Sequence, residues 1–318
     1  MKKKFDAVYF KSMNYTWENV AFIKENFNLT ILSNVKNLSP NKNNNVEVLF
    51  APFELRICES SIRYFDKLKV VVSNTTSIPH IDVNFCKKKN IKIASLHNEQ
   101  TYLKRITPTA EHTFGLILAC YRNIIPAFRD VKNGNWSRWS FVAPKMLSRM
   151  KMGLVGYGRL GKKVETIAKA FGMKVFWFDP NKKGGEKTLK GMAKKIDILS
   201  IHASGNQKEK IIDRNILDSL SKGSIVINTA RGELLDLDSL LDLLESGKIS
   251  CAALDTIEGE FISEFPQKFK NTRLFNYINN NDNLLLTPHI GGSTYDAWSL
   301  TQRRVLEKSL QILENEFN

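Results

Sequence analysis

The stretch GLVGYGRLG, residues 153–161, decides the fold, because its glycines follow an apolar strand candidate and open a helix candidate. We expect Gly156 to form the tight turn, Gly158 to let the backbone approach a pyrophosphate, and Gly161 to allow close helix packing. The helix N-terminus would present free N–H groups to the phosphates. The sequence therefore predicts a dinucleotide-binding loop between a strand and a helix.

The residues after the loop support this interpretation. Asp179 follows the next strand candidate, 18 residues beyond Gly161 (179 − 161), where a carboxylate accepts hydrogen bonds from the adenosine ribose. A carboxylate repels a 2′-phosphate and so favours NAD over NADP, although Lys182 and Lys183 are close enough in sequence to attract a phosphate. A helix is also predicted between the loop and Asp179. Its apolar residues recur at helical spacing, and a glycine suited to a helix C-terminus follows them: Val164, Ile167, Ala168, Phe171 and Gly172.

Short apolar strand candidates alternate with helix-compatible stretches along the chain, a pattern typical of parallel sheets covered by helices. The first series comprises residues 7–10, 29–32, 46–50, 68–72 and 91–94. The second comprises residues 153–155, 175–178, 198–201, 225–228, 250–254 and 284–286. The sequence therefore predicts an α/β protein with two doubly wound parallel-sheet domains, the second a Rossmann domain.

Two helices are predicted from their capping signals. Thr107 suits an N-cap and Pro108 the first helical position of a buried helix that extends to residue 121. Ser293 and Asp296 have capping-box spacing. An apolar stripe then predicts a C-terminal helix: Ala297, Leu300, Leu306, Leu310 and Leu313.

Composition indicates a folded protein of two domains, since the 318 residues are 42% hydrophobic and 25% charged. The formal charge of +15 raises the question of a nucleic-acid partner. The two lysine triplets, at residues 2–4 and 87–89, are not interleaved with aromatic residues as a base-stacking surface would be. A solvated basic surface that attracts a small anionic substrate is the favoured interpretation, with no nucleic-acid partner.

The cysteines and the apolar runs point to the cytoplasm. Cys58, Cys86, Cys120 and Cys251 lack the paired spacing of a zinc site or a disulfide framework. The longest apolar run, residues 114–121, is far shorter than the ~20 residues that span a membrane. We expect no metal, no membrane segment and no secretion signal in the opening MKKKFDAVYF.

Four later segments fall at or beyond the C-terminal ends of predicted strands, where α/β proteins bind ligands. They are His202, NTARG at 228–232, residues 255–260 and PHIGGST at 288–294. Their order and wording resemble the D-isomer-specific 2-hydroxyacid dehydrogenase family, as do HID at 80–82, TAEH at 109–112 and GNW at 134–136. The wording at 288–294 is most similar to the D-3-phosphoglycerate dehydrogenase branch, without its regulatory extension.

The resemblance implies a flavodoxin-like substrate domain, residues 1–104 and 290–318, and a Rossmann NAD-binding domain, residues 105–289. It places Arg231, Glu260 and His289 at the catalytic positions. Cofactor contacts would fall to Gly156, Gly158, Arg159, Leu160, Gly161, Asp179, His202, Thr229, Ala230, Asp255, Gly291 and Gly292. The substrate carboxylate would meet Arg231 and a loop formed by Asn74, Thr75, Thr76 and Ser77. NAD as cofactor and a homodimer are also implied.

The three catalytic candidates suit the oxidation of a 2-hydroxy acid, which removes a hydride from C2 and a proton from the hydroxyl. His289 is the natural base near neutral pH, and Glu260 would orient its ring and stabilise the imidazolium. Arg231 offers a planar fork of donors for the substrate carboxylate. Each residue alone has a simpler interpretation, as a surface or turn residue; their joint order favours the catalytic one.

Three departures from the family pattern leave the substrate open. Ser77 replaces a usual glycine, Ser204 a usual proline after the His202 motif, and Phe261 a usual proline after the catalytic glutamate. The alternative function is an NAD(H)-sensing binding protein, as corepressors related to this family are. Retention of the full Arg, Glu and His set favours an enzyme.

Overall fold

The computed structural model describes residues 4–39, 43–143, 145–204, 210–262 and 264–317. Lys2 and Lys3 of the first lysine triplet lie outside this part of the chain. The chain forms two compact units: Met1–Ile106 with Thr294–Asn318, and Thr107–Ser293.

The first unit contains a five-stranded parallel sheet, as the sequence predicts. Its strands are β1 (Phe5–Phe10), β2 (Phe27–Leu32), β3 (Val48–Phe50), β4 (Val70–Ser73) and β5 (Lys92–Ser95). Their order is β2-β1-β3-β4-β5, with Phe5 opposite Phe27 in the first pair. This is the strand order of the flavodoxin-like fold, so that expectation is confirmed.

Apolar side chains cover both faces of this sheet. Along β1, Ala7 and Tyr9 belong to one buried cluster while Val8 and Phe10 belong to another, because successive strand residues point to opposite faces. The helices that follow the strands are α1 (Trp17–Asn26), α2 (Glu59–Ile62), α3 (Val83–Lys88) and α4 (Gln100–Leu103).

The second unit contains a six-stranded parallel sheet. Its strands are β6 (Lys151–Val155), β7 (Lys174–Phe178), β8 (Ile198–Ile201), β9 (Ser224–Asn228), β10 (Ile249–Leu254) and β11 (Leu284–Leu286). The order is β11-β10-β9-β8-β6-β7, so the direction of succession reverses between β6 and β8. Ligands of open α/β sheets bind at such a reversal, outside the carboxyl ends of the strands.

Helices pack on both faces of the second sheet, in two apolar clusters. They are α5 (Pro108–Tyr121), α6 (Ile124–Lys132), α7 (Arg159–Ala170), α8 (Leu189–Ala193), α9 (Arg214–Ser219), α10 (Leu237–Glu245), α11 (Phe265–Phe269) and α12 (Arg273–Asn280). The helix predicted after the glycine loop is confirmed as α7, and Gly172 follows it with a φ of +74°. The final helix, α13 (Tyr295–Phe317), belongs to the first unit.

Two predicted caps differ in detail. Pro108 is the first residue of α5 as expected, but Thr107 has a helical ψ of −18° and its side chain makes no capping hydrogen bond. Helical backbone geometry turns the hydroxyl away from the free amides, which a β-region N-cap would reach. At α13 the cap is Thr294 rather than Ser293, because the Ala297 amide donates to Thr294 Oγ1 over 3.4 Å.

Among the helices in the described part of the chain, none is both long enough and apolar enough to cross a bilayer.

Candidate active site

The glycine loop joins β6 to α7, and each glycine has a distinct geometric reason. Gly156 has a φ of +89°, and a Cβ there would lie 2.5 Å from the Ala203 amide nitrogen. A Cβ at Gly161 would lie 2.3 Å from the Gly156 carbonyl oxygen. A Cβ at Gly158 would meet nothing within 4 Å, so this position borders open space. Gly156 and Gly161 are therefore required by the turn itself, whereas Gly158 leaves open space beside the turn.

The start of α7 supplies hydrogen-bond donors to the same loop. The Lys162 amide donates to the Gly158 carbonyl over 3.1 Å and makes the first i to i−4 hydrogen bond of the helix. The amides of residues 159–161 come before this bond and have no acceptor within the helix. Arg159 and Leu160 are therefore the first residues of a helix whose N-terminus carries partial positive charge. Open space at Gly158 beside these donors fits the pyrophosphate of a dinucleotide.

Asp179 follows β7 and is tied to the glycine loop. Its carboxylate accepts from the Tyr157 amide over 2.9 Å and from the Asn181 amide over 3.0 Å. The Tyr157 ring stacks on Trp177 with centroids 4.1 Å apart, and Lys182 Nζ donates to the Tyr157 carbonyl. The acidic side chain and the nearby lysine thus share one edge of the loop.

Other candidates lie at the carboxyl ends of adjacent strands. His202 follows β8, Thr229 and Ala230 follow β9, and Asp255 follows β10. His202 Nε2 lies 2.8 Å from Ser200 Oγ, whereas its buried Nδ1 makes no hydrogen bond to the described residues. Burial lowers the pKa of His202 to about 4, so the ring is neutral near pH 7.

The turn that carries Arg231 is shaped by the buried side chain of Asn228. The Asn228 amide group donates to the Arg231 carbonyl over 2.8 Å, and its oxygen accepts from the Ala230 amide over 3.0 Å. Arg231 Nη1 donates to the Ala230 carbonyl over 2.7 Å, which leaves other guanidinium donors for a ligand. Thr229 Oγ1 lies 2.9 Å from Thr113 Oγ1 on α5.

Gly232 brings this turn against the loop that follows β10. A Cβ at Gly232 would lie 2.0 Å from the Glu258 amide nitrogen and 2.1 Å from the Ile257 carbonyl carbon. Only glycine permits so close an approach, so the Arg231 turn and the Glu260 loop are packed backbone to backbone.

His289 and Glu260 form a direct pair, with Nδ1 of the imidazole 2.7 Å from Oε1 of the carboxylate. The His289 side chain is 33% exposed and that of Glu260 is 13% exposed. The pair therefore leaves the far side of the imidazole, with Nε2, available to a ligand. His289 has a left-handed φ of +54°, and the ring centroid of Phe261 is 5.5 Å from its own.

The Asp255 carboxylate accepts the hydrogen bonds that shape the turn around His289. Its buried carboxylate accepts from Thr287 Oγ1 over 2.6 Å, from the Ile290 amide over 2.8 Å and from the Gly291 amide over 2.7 Å. His112 Nε2 on α5 lies 3.3 Å from the same carboxylate. Several donors thus stabilise a buried negative charge, and the turn they form holds His289 in its strained conformation.

Three supporting residues have roles that no local pattern in the sequence marks. His112 lies within the TAEH motif, and Asn228 and Gly232 lie within NTARG. Gly291 also has a packing role, since a Cβ there would lie 2.7 Å from Asp255 Oδ2, whereas one at Gly292 would approach Thr109 Oγ1 no closer than 3.9 Å.

The predicted substrate loop follows β4 in the first unit. Thr75 Oγ1 lies 2.9 Å from Ser73 Oγ and donates to the Ser77 carbonyl over 2.7 Å. The Thr75 carbonyl accepts from the Leu96 amide over 3.1 Å. In the described part of the chain, the amides of residues 74–77 donate to no other backbone group. Asn74 and Thr76 complete this loop.

Within the described residues, no group of three or more His, Cys, Asp and Glu side chains is arranged to hold a metal ion.

The sequence of this chain is similar to one family model and to several known proteins. A model of the NAD-binding domain of D-isomer-specific 2-hydroxyacid dehydrogenases matches residues 114–291. The chain is 31% identical to hydroxypyruvate reductase of Thermotoga maritima over 86% of this chain and 84% of that protein. It is 30% identical to D-3-phosphoglycerate dehydrogenase of Methanocaldococcus jannaschii over 85% of this chain, which spans 50% of that relative.

A solved structure extends the similarity to nearly the whole chain. The D-lactate dehydrogenase of Aquifex aeolicus, complexed with NAD and lactic acid, is 26% identical and superimposes with a TM-score of 0.79. The match covers 97% of this chain and 94% of that one. The matched NAD-binding domain contains the glycine loop, the Arg231 turn, Glu260 and His289. The chain belongs to the D-isomer-specific 2-hydroxyacid dehydrogenase family.

Proposed function

We propose that this protein is an NAD-dependent oxidoreductase that interconverts a small D-2-hydroxy acid and its 2-keto acid. The 2.7 Å contact between His289 and Glu260 is the observation that carries the proposal. A protein that only binds a nucleotide has no use for an acid/base pair of this kind. The sensing alternative is not favoured, since the relatives reported above are named as reductases and dehydrogenases.

The chemistry divides among the three catalytic candidates. NAD, when bound, accepts the hydride from C2 of the hydroxy acid. His289 Nε2 takes the hydroxyl proton in that direction and returns it in the reverse direction. Glu260 holds Nδ1 and stabilises the imidazolium that forms. Arg231 binds the substrate carboxylate and polarises the 2-keto oxygen.

We assign the cofactor and the substrate to different units. The cofactor contacts proposed are those of the glycine loop, Asp179 and the strand ends from His202 to Asp255, with Gly291 and Gly292 beside the turn. The loop formed by Asn74, Thr75, Thr76 and Ser77 would bind the rest of the substrate carboxylate through backbone amides. Residues 1–104 and 290–318 would then form the substrate domain, and residues 105–289 the NAD domain.

We also propose a cytoplasmic homodimer. Support for dimerisation comes from one face of α6, where Ile124, Phe128 and Val131 recur at helical spacing and are 51%, 65% and 45% exposed. Trp136 and Trp139 beyond the helix are 89% and 80% exposed. Exposed apolar side chains in this number suit a contact with a second copy. Support for the cytoplasm comes from the free thiols of the four cysteines.

The function is tested with the variant His289→Ala. Turnover of NADH with a panel of 2-keto acids should fall by 10²-fold or more, because the proton donor is lost. NADH binding, measured by fluorescence titration, should remain. Absence of turnover by the wild-type protein on every member of the panel would contradict an enzymatic role.

The dimer is tested by sedimentation of the variant Phe128→Asp. A buried charge at the centre of the apolar face should convert the dimer to a monomer. Trp17→Asp is the matched control, because Trp17 is 73% exposed but lies on α1 in the first unit. A wild-type monomer at micromolar concentration would refute the assignment.

A further inference from the structure

Two cysteines far apart in sequence meet in the second unit. Cys120 lies in the last turn of α5, and its thiol donates to the Ala252 carbonyl of β10 over 3.4 Å. Cys251 precedes Ala252 and is 7% exposed. It shares the apolar cluster of Ala253 with the buried face of α5, so its side chain points toward that helix. The two thiols therefore face each other across the helix–strand contact.

Each thiol affects the ionisation of the other. The neighbouring Cys251 thiol and burial both raise the pKa of Cys120. The neighbouring Cys120 side chain in turn lowers the pKa of Cys251. Both effects require the two side chains to lie close together, as their shared apolar cluster also indicates.

A small cavity gives access to the Cys120 member of the pair. Cys120 is partly exposed and lines a cavity of about 170 Å³ together with Ile125, Pro126 and Leu285. Arg129 and Asp282, which also line it, form an ion pair of 2.6 Å. This volume holds several molecules of the size of water. The cavity lies against residues 125, 126 and 129 of α6.

We propose that Cys120 and Cys251 are a modification site at which a small peroxide converts the two thiols into a reversible disulfide. Hydrogen peroxide is an oxidant small enough to enter this cavity. The two sulfurs lose two electrons and two protons and form one S–S bond. The peroxide gains both, its O–O bond breaks, and two molecules of water leave. A dithiol reductant reverses the reaction by thiol–disulfide exchange.

The position of the pair connects it to the proposed active site. His112 lies eight residues before Cys120 on α5, about 12 Å along a helix, and Asp255 lies four residues after Cys251, about 13 Å along an extended chain. The helix and the strand thus run antiparallel over similar lengths, with the thiols at one end and the His112–Asp255 contact at the other. A disulfide would anchor α5 to β10, the strand that precedes Asp255.

The test treats the purified full-length protein with hydrogen peroxide and digests it with trypsin without reduction. Mass spectrometry should find peptide 106–122 linked to peptide 249–268, and dithiothreitol should separate them. The oxidised protein should also unfold at a higher temperature than the reduced one, because the cross-link restricts the unfolded chain. This readout does not depend on turnover, so it is separate from the test of the proposed function.

Matched variants decide the assignment. Cys120→Ala and Cys251→Ala should each abolish the linked peptide and the rise in unfolding temperature. Cys58→Ala and Cys86→Ala should leave both unchanged. If a variant fails to fold, the wild-type peptide map alone still decides. Absence of the 106–122/249–268 link after oxidation, or a link that involves Cys58 or Cys86 instead, would overturn the proposal.

Discussion

Nδ1 of His289 lies 2.7 Å from Oε1 of Glu260, although 29 residues separate them in sequence. The contact depends on two loops, one after β10 and one after β11, that end beside each other because their strands are neighbours in the sheet. A carboxylate in this position fixes the direction in which the imidazole faces, as a base in proton transfer requires.

We predict that Glu260→Gln lowers turnover by about 10²-fold, because the amide cannot stabilise a charged imidazole. NADH binding should be unchanged in a fluorescence titration. Glu258→Gln is the matched control, since Glu258 lies two residues away and its side chain is 61% exposed. Equal losses in the two variants would argue against a specific role of Glu260.

Substitutions at two glycines of the loop should affect different properties, NADH binding at one position and stability of the fold at the other. Gly158→Ala should leave the unfolding temperature unchanged, since the new Cβ meets open space, but should weaken NADH binding by about tenfold or more. Gly161→Ala should instead destabilise the fold, because its Cβ would lie 2.3 Å from the Gly156 carbonyl oxygen. Calorimetry and NADH titration distinguish the two. Full NADH affinity in Gly158→Ala would exclude a close approach of the pyrophosphate.

Gly232→Ala should destabilise the protein by about 1–3 kcal/mol, because the Cβ would overlap the backbone of residues 257 and 258. Gly115→Ala on α5 is the control with the opposite sign. Its Cβ meets nothing within 4 Å, so the free energy of unfolding should rise by about 0.5–1 kcal/mol. Urea unfolding measures both. A neutral Gly232→Ala would mean that the two loops can separate.

Stability should fall in acid partly because of His80. This side chain is 6% exposed, and burial lowers its pKa to about 4. The unfolded chain takes up a proton near pH 6.5 while the folded ring stays neutral down to pH 4. The free energy of unfolding should therefore decrease by up to about 3 kcal/mol as the pH falls through this window, and remain reduced below it.

The variant His80→Gln should show a smaller decrease between pH 6.5 and 4 in urea unfolding. His97→Gln, at an exposed position of the same unit, should follow the wild-type profile. Parallel profiles for His80→Gln and the wild type would assign the acid sensitivity to other groups.

Cofactor preference should depend on Asp179. Asp179→Ala should weaken NADH binding relative to NADPH, because the side chain lost is the one expected to bind the ribose hydroxyls. Lys182→Ala should weaken NADPH binding more than NADH binding, since a cation near the glycine loop attracts a 2′-phosphate. Paired titrations with both cofactors check the two ratios. An unchanged ratio in Asp179→Ala would show that the ribose lies elsewhere.

The sequence was sufficient to predict the helices and strands that a local pattern of residues defines. Apolar runs separated by helical stretches located every strand to within a few residues, because buried parallel strands need continuous apolar side chains. Capping was less accurate at Thr107 and Ser293, since a one-residue shift or a helical ψ at the cap changes which hydroxyl reaches the free amides.

Contacts between distant segments could not be predicted in the same way. Asp255 accepts hydrogen bonds from residues 32 to 36 positions later, and nothing in the local pattern marks it as the centre of that turn. The approach of Gly232 to Glu258 is likewise a product of the tertiary fold. Arg231, Glu260 and His289 were identified through family resemblance and chemistry, and their mutual placement came from the structure.

The contact at Gly232 has a consequence for how this protein can diverge. With backbone touching backbone, a shift of the segment that presents the guanidinium displaces the segment that presents the carboxylate. Selection for a new substrate therefore has little freedom to move the backbone of these two loops. New specificity is more readily acquired where side chains face solvent, and we expect natural variation to concentrate at positions such as Phe261 while position 232 stays fixed.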